Sequence, residues 1–371
     1  MDFTLNEDQQ ALVGLAVQIL SKESTQKHLD ALDEAGTWFD VDLWKQLAAA
    51  GVVGAALKED VGGGGLGFTE LAILLEQVGA HVAQVPLFES VLCAALPLDR
   101  YGTDEQRQRD LPGVAAGTSV LAAALVESGR DDLLRPTTTA TQDGAAYAVT
   151  GLKTSVPLAD RAARLLVPAS TPDGAVVLLL VEPAASGVTL REGTGTNGIP
   201  LFEVDLDGVR GEVLVGPEGG ADALAWLLDR ALTGLAAMAL GVSATALRTS
   251  ATYTTSREQF GRPIATFQAV GHRLADAYID VEAMRLTTLQ AVWLLDAGLP
   301  GRDEARIAKW WASEGGHRVA HAAQHVHGGV GIDIDYTLHR YFRWSKQIEF
   351  TLGSAQAQLL SLGATLAAEP V

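Results

Sequence analysis

The spacing of apolar residues changes twice along the chain, and that double change constrains the fold more than any single motif. Up to about residue 112 the apolar positions recur at helical spacing, as Leu12, Val13, Leu15, Ala16, Ile19 and Leu20 do near the start. Between about 117 and 215 the runs shorten. Residues 119–125 and 175–181 are short apolar segments bounded by Gly, Pro, Asp and Thr, which is the spacing of strands and turns. From about 221 onward long Ala- and Leu-rich stretches return, as in a helical bundle. The order helical, sheet, helical predicts an α+β multidomain chain divided at 1–115, 116–217 and 218–371. At 371 residues the chain is long enough to bury two or three cores.

Local signals refine this outline. Thr4 followed by Glu7 has the pattern of a capping box and predicts the first helix. Asp40 and Asp42 give a second helix an acidic first turn. Gly62, Gly63, Gly64 and Gly65 in succession predict a loop, since four glycines cost too much entropy in a regular element. Charges interrupt the long apolar runs before membrane-spanning length, and Asp2 to Asp8 carry no basic or apolar leader. A cytoplasmic protein with no membrane association is expected. The single Cys93 excludes an intrachain disulfide framework and fits a reducing compartment. Lys plus Arg number 27 against 45 Asp plus Glu, a formal net charge of -18. Such a surface repels phosphate backbones and argues against nucleic acid, although a few local arginines can still hold one anionic ligand.

Two stretches carry candidate chemistry. In 253–268 a helix bearing Tyr253 and Arg257 on one face is expected to end near Phe260, with Gly261 as its left-handed cap and Pro263 preventing continuation. Arg257 and Arg262 could then reach a phosphate, and Phe260 could stack on an aromatic ring. A capped helix with a solvated arginine pair is the competing reading. In 325–331, Gly328, Gly329 and Gly331 let a backbone approach a ligand or another helix closely. His317, His321 and His325 fall on one helix face at spacings of four. No Cys, Asp or Glu accompanies them at a metal-ligand spacing, so a metal site is not expected.

Together, Arg257 to Ile264 with Phe267 and Gln268, and then the run from His327 to Ile332, resemble the acyl-CoA dehydrogenase family. The stretch Trp44 to Val52 and the Gly-rich loop before Gly67 and Phe68 do the same, so the resemblance covers the whole chain. It implies an N-terminal α-helical domain, a middle β-domain and a C-terminal four-helix bundle that mediates oligomers. It also implies FAD, held partly by a neighbouring subunit. On that resemblance Arg257, Phe260, Gln268, His325, Gly328 and Gly329 are the residues that reach a neighbour's FAD.

The same resemblance exposes departures. The family's reaction needs a carboxylate to take the α-proton of an acyl-CoA thioester while the β-hydride leaves for the flavin. Leu352 stands where that glutamate is usual, and leucine accepts no proton. Glu349 would need a change of register to substitute. Some branches put the base before an arginine on the preceding bundle, and Asp229 with Arg230 matches that place; a plain helix-surface charge is its other reading. The flavin-binding turn is truncated over 125–132. No aromatic stands in the flavin wall over 151–157, where Pro157 also removes a strand donor. A chain with its own site degraded and its cross-subunit motifs intact is similar to the smaller subunits of actinobacterial α2β2 dehydrogenases of steroid side-chain CoA thioesters. The expectation is therefore an FAD-completing subunit beside a homologous catalytic partner that binds most of the acyl-CoA. A self-sufficient homotetramer using Asp229 or Glu349 is one alternative, and a non-catalytic CoA-ester-binding or structural protein is another.

Overall fold

The computed structural model describes residues 3–368. Helices fill the first part of the chain: α1 (Glu7–Glu23), α2 (Gln26–Glu34), α3 (Val41–Ala49), α4 (Phe68–Ala80), a buried π-helix (Leu87–Ala95), α5 (Leu96–Tyr101) and α6 (Asp104–Ala115). Strands follow: β1 (Ala122–Ala123), β2 (Thr139–Asp143), β3 (Ala146–Pro157), β4 (Leu165–Ser170), β5 (Val176–Val181), β6 (Val188–Thr194) and β7 (Pro200–Val215). Then come α7 (Gly220–Ser256), a hairpin of β8 (Glu258–Gln259) and β9 (Arg262–Pro263), α8 (Gln268–Asp296), α9 (Arg302–His327), α10 (Leu338–Phe350) and α11 (Ala355–Ala368). This is the α+β order expected from the apolar spacing.

The first helix starts on a different cap from the one read in the sequence. Asn6, not Thr4, is the N-cap: its side chain accepts from Gln9 N at 2.8 Å, and Gln9 Oε1 accepts from Asn6 N at 3.0 Å. The reciprocal box satisfies two backbone donors at the helix end, which the Thr4–Glu7 pair would place two residues too early. Asp40, read from the sequence as part of the first turn of α3, is its N-cap, with Oδ1 accepting from Leu43 N at 3.0 Å, and Asp42 alone makes the first turn acidic.

Contacts divide the chain into two compact units that interleave in sequence. One comprises Trp38–Leu71 and Val85–Ala231. Its centre is a closed sheet in which β4 pairs β5, β5 pairs β7, β7 pairs β3, and β3 pairs β2; β2 returns to β4 through the parallel bridge Thr139–Ser170. Closure leaves β2, β3, β4, β5 and β7 paired on both sides, with β1 on β4 and β6 on β7 outside the ring. Val149, Leu165, Val167, Leu179 and Val204 fill the interior with almost no exposed surface. β5 is buried along its whole length, which is why residues 176–181 read as an unbroken apolar run.

The other unit comprises Met1–Thr37, Ala72–Gln84 and Leu232–Val371. Here α8, α9 and α10 pack side by side. Arg340 of α10 ties to α2 through Asp30 at 2.7 Å and Asp33 at 2.8 Å. The Tyr341 hydroxyl donates to Ala80 O at 3.0 Å.

Helix α7 corrects one expectation. By length and composition it could cross a membrane, so charges do not interrupt every apolar run. Yet 89% of its most apolar 18-residue window is buried within the protein, which makes it a core helix.

Candidate functional site

Helix α7 stops earlier than its sequence suggests. It ends at Ser256, and the last helical bond runs from Arg257 N to Tyr253 O at 2.8 Å. Arg257 opens a two-residue hairpin instead, closed by Ile264 N donating to Arg257 O at 2.8 Å. Phe260 and Gly261 form the turn with φ of 56° and 77°. Two successive left-handed residues suit the right-handed twist of a hairpin, so Gly261 is a turn residue and not a helix cap. The hairpin lifts Phe260 to 92% exposure. The exposed Arg257 side chain makes no hydrogen bond or ion pair among the described residues. Beside them Phe267 meets Phe260 edge-on at 6.1 Å, and the Arg262 guanidinium lies 4.2 Å from the Phe267 ring centre. Gln268 begins α8 at the next position, exposed, with Nε2 3.3 Å from His272 Nε2.

The glycine stretch follows the end of α9. Gly328 adopts φ 61° and Gly329 continues into a 3₁₀ turn, and a Cβ on either would meet nothing within 4 Å. Gly331 differs, since a Cβ there would lie 2.8 Å from Gln324 O. The first two glycines leave open space for a ligand, while the third is needed for packing. His325 is exposed on the last turn of α9.

A cluster of three rings joins the hairpin end to the glycine loop. His327, the last residue of α9, stacks on Tyr253 of α7 with centroids 4.2 Å apart and planes inclined by 21°. Its Nδ1 lies 2.7 Å from Ala323 O, and its Nε2 lies 3.2 Å from the Tyr336 hydroxyl. A carbonyl can only accept, so Nδ1 carries the proton and Nε2 accepts from Tyr336. Burial pushes the His327 imidazolium below its ordinary range, which favours this neutral form. Sequence reasoning took His325 as the site residue and saw His327 only as part of the His-Gly-Gly motif and of a metal site it did not expect. A histidine directly before Gly-Gly, with tyrosines that could flank it, was the available signal.

The candidate base positions have other surroundings. Leu352 is buried, with φ 56°, in the turn between α10 and α11. Glu349 is engaged with Lys346 Nζ at 2.8 Å and approaches His317 Nδ1 to 3.2 Å. Beneath the turn, Lys309 Nζ is fully buried and donates to Ser313 Oγ at 2.7 Å and to the carbonyls of Ile348, Glu349 and Gly353 at 3.0, 3.2 and 3.0 Å. Burial pushes this ammonium down to about 7, with Glu349 pulling the other way. Asp229 is half-buried on α7, and the adjacent Arg230 guanidinium stacks 4.1 Å from the Trp226 ring centre. The rings of His317 and His321 lie 4.4 Å apart, but no group of three or more His, Cys, Asp or Glu among the described residues could hold a metal.

In the barrel unit the stretches read as a degraded flavin pocket meet each other. Val126 and Thr154 form an isolated bridge, and Thr154 N donates to Val126 O at 2.9 Å. Lys153 and Glu127 form a buried ion pair at 2.7 Å. Glu127 also accepts from Thr137 N at 2.5 Å, Thr138 N at 2.9 Å and the hydroxyls of both threonines. Burial alone would raise the Glu127 carboxyl, but Lys153 and these donors outweigh it and hold it at about 2. β3 bulges between Lys153 and Val156, leaving Ser155 exposed at φ 53°. Pro157 does not break the strand; it is the last residue of β3 and still pairs with Leu201.

Comparison with known proteins agrees with this arrangement. Residues 6–118 match the N-terminal domain of acyl-CoA dehydrogenases, and residues 218–367 match the C-terminal domain. Acyl-CoA dehydrogenase FadE27 of Mycobacterium tuberculosis (strain ATCC 25618 / H37Rv) is 39% identical over 100% of both chains. A chain of the Tcur3481–Tcur3483 steroid ACAD variant superposes with a TM-score of 0.93 at 46% identity, over 98% of this chain and 99% of that one. The ChsE4–ChsE5 complex from Mycobacterium tuberculosis gives a TM-score of 0.94 at 39% identity, over 100% of both chains. Helices, a closed sheet and helices again, in this order, make the acyl-CoA dehydrogenase fold. The chain belongs to the acyl-CoA dehydrogenase family, a class of oxidoreductases.

Proposed function

We propose that this chain is the FAD-completing subunit of an α2β2 acyl-CoA dehydrogenase, whose homologous partner supplies the catalytic base and most of the acyl-CoA site. The reaction would introduce an α,β double bond into a bulky acyl-CoA, and the names of the steroid ACAD relatives favour a steroid side-chain thioester. The observation that carries the reading is an asymmetry within the chain. At the end of the helical unit an Arg257 with no partner among the described residues, a Phe260 ring at 92% exposure and two glycines with open space stand ready for a ligand. At the place of the usual base stands a buried leucine, and Ser155 stands exposed where the flavin wall calls for an aromatic.

These residues suit FAD by their chemistry. Arg257 would make a charge-assisted contact to a phosphate, worth about twice a neutral hydrogen bond. Phe260 offers a free ring face for stacking. Gly328 and Gly329 admit a ligand against bare backbone, while Gln268 and His325 add exposed hydrogen-bonding groups at the same end. Held there, FAD would supply the acceptor for the β-hydride of the substrate. The domain limits 1–115, 116–217 and 218–371 and a cytoplasmic location belong to the same reading.

Colour tests it. The lone purified chain should be colourless, and coexpression with a homologous catalytic partner should give a yellow complex. Arg257→Ala should leave the chain folded and lower the FAD content of that complex. A yellow lone chain would favour the self-sufficient homotetramer instead, and a complex that never binds flavin would favour a scaffold role.

A further inference from the structure

His327 is buried between two tyrosines that come from different elements. Tyr253 reaches it from the last turn of α7, four residues before Arg257, and Tyr336 reaches it from the turn before α10. Gly328 follows it directly in sequence. The ring is therefore the physical link between the Arg257 hairpin and the Gly328/Gly329 loop. On its own helix its neighbour is the Ala323 carbonyl. No ion pair reaches it among the described residues, so no carboxylate stands by to neutralise a charge on it.

The neutral ring fits this place and the protonated ring does not. With Nδ1–H held by Ala323 O, Nε2 is the acceptor for the Tyr336 hydroxyl. Protonation turns Nε2 into a second donor, so the hydroxyl must turn its proton away, and a full charge is left in a buried site. Burial already disfavours that charge. We propose that His327 is a positioning residue for the shared FAD site, holding hairpin and glycine loop in register while neutral and releasing both when protonated.

The inference rests on the FAD-completing reading and adds its regulation: acid should loosen the two FAD-facing segments together. The sign follows from the lowered folded value. The unfolded chain binds the proton more readily, so the ring's contribution is complete above the ordinary 6.5 and is lost as pH falls through the depressed value.

Hydrogen exchange on the full-length chain, without a partner, reads the link directly. In His327→Leu, amides of 257–264 and of 328–334 should lose protection together, by about tenfold or more. Faster exchange in the glycine loop alone, or in neither segment, overturns the link. His327→Gln can donate to Ala323 O and accept from Tyr336 but does not titrate. It should keep the protection of both segments and hold it from pH 7 to pH 5, where the wild type loses it after correction for intrinsic rates. Equal acid loss in wild type and His327→Gln overturns the proton dependence. FAD content of the partner complex, measured across the same pH range, should fall in wild type and stay level in His327→Gln. A wild-type complex that lacks FAD at every pH sinks the FAD-completing reading and leaves the exchange result standing.

Discussion

Lys309 and the pair Glu127–Lys153 show how much depends on single buried charges. Removing one partner of a buried pair strands the other, at a cost of about 3–5 kcal/mol. Glu127→Gln should therefore destabilise the barrel unit far more than an exposed carboxylate would. Because the folded Glu127 carboxyl is held at about 2, its contribution is present at neutral pH and is lost as acid drives it toward that value. Lys309 has the opposite sign. Its folded value of about 7 lies below the ordinary 10.5, so the unfolded chain binds the extra proton between these limits and stability rises with pH there. Chemical denaturation of wild type and Lys309→Met across pH 7 to 10 should give curves that diverge, with a slope of up to about 1.4 kcal/mol per pH unit for one proton. Parallel curves would mean that Lys309 does not titrate in the fold. Neither charge was legible in the sequence as a partner of anything. Glu127 and Lys153 meet only because β3 curls back to the 126–127 segment, and Lys309 finds its acceptors at the far end of α10.

Among the elements, the hairpin 257–264 and the loop after α9 carry the functional reading, and their glycines should behave differently. Gly329→Val places its side chain in open space, so the chain should fold with an unchanged unfolding midpoint while FAD content of the partner complex falls. A full flavin complement in that variant would remove Gly329 from the site. Gly331→Ala drives a Cβ against Gln324 O and should cost about 1–3 kcal/mol, read as a lower midpoint by thermal melting. The glycine spacing by itself treated the three alike and only the resemblance set Gly328 and Gly329 apart, because composition cannot say which one faces a neighbouring helix. It also mistook the hairpin for a helix cap. Gly261 suits both, and only the left-handed φ of Phe260, a residue seldom found there, selects the two-residue turn.

For the whole molecule the question is whether this chain contributes a base. Asp229→Asn in the assembled complex should keep turnover within a few-fold of wild type. A fall of about a hundredfold or more with flavin content unchanged, the scale of a lost general base, would make the chain a catalyst in its own right. The order of helices, strands and helices was written in the spacing of apolar residues, because burial of one face imposes a period of 3.6 or 2 on any sequence that folds. The family was legible in short motifs whose residue types the chemistry demands, and so was the leucine at 352, where the resemblance expects a carboxylate. Closure of the sheet into a barrel, the interleaving of two compact units and the meeting of Tyr253, His327 and Tyr336 were decided only in three dimensions. Each joins residues far apart in the chain, and a periodic pattern fixes which face of an element is buried but not what that face is buried against.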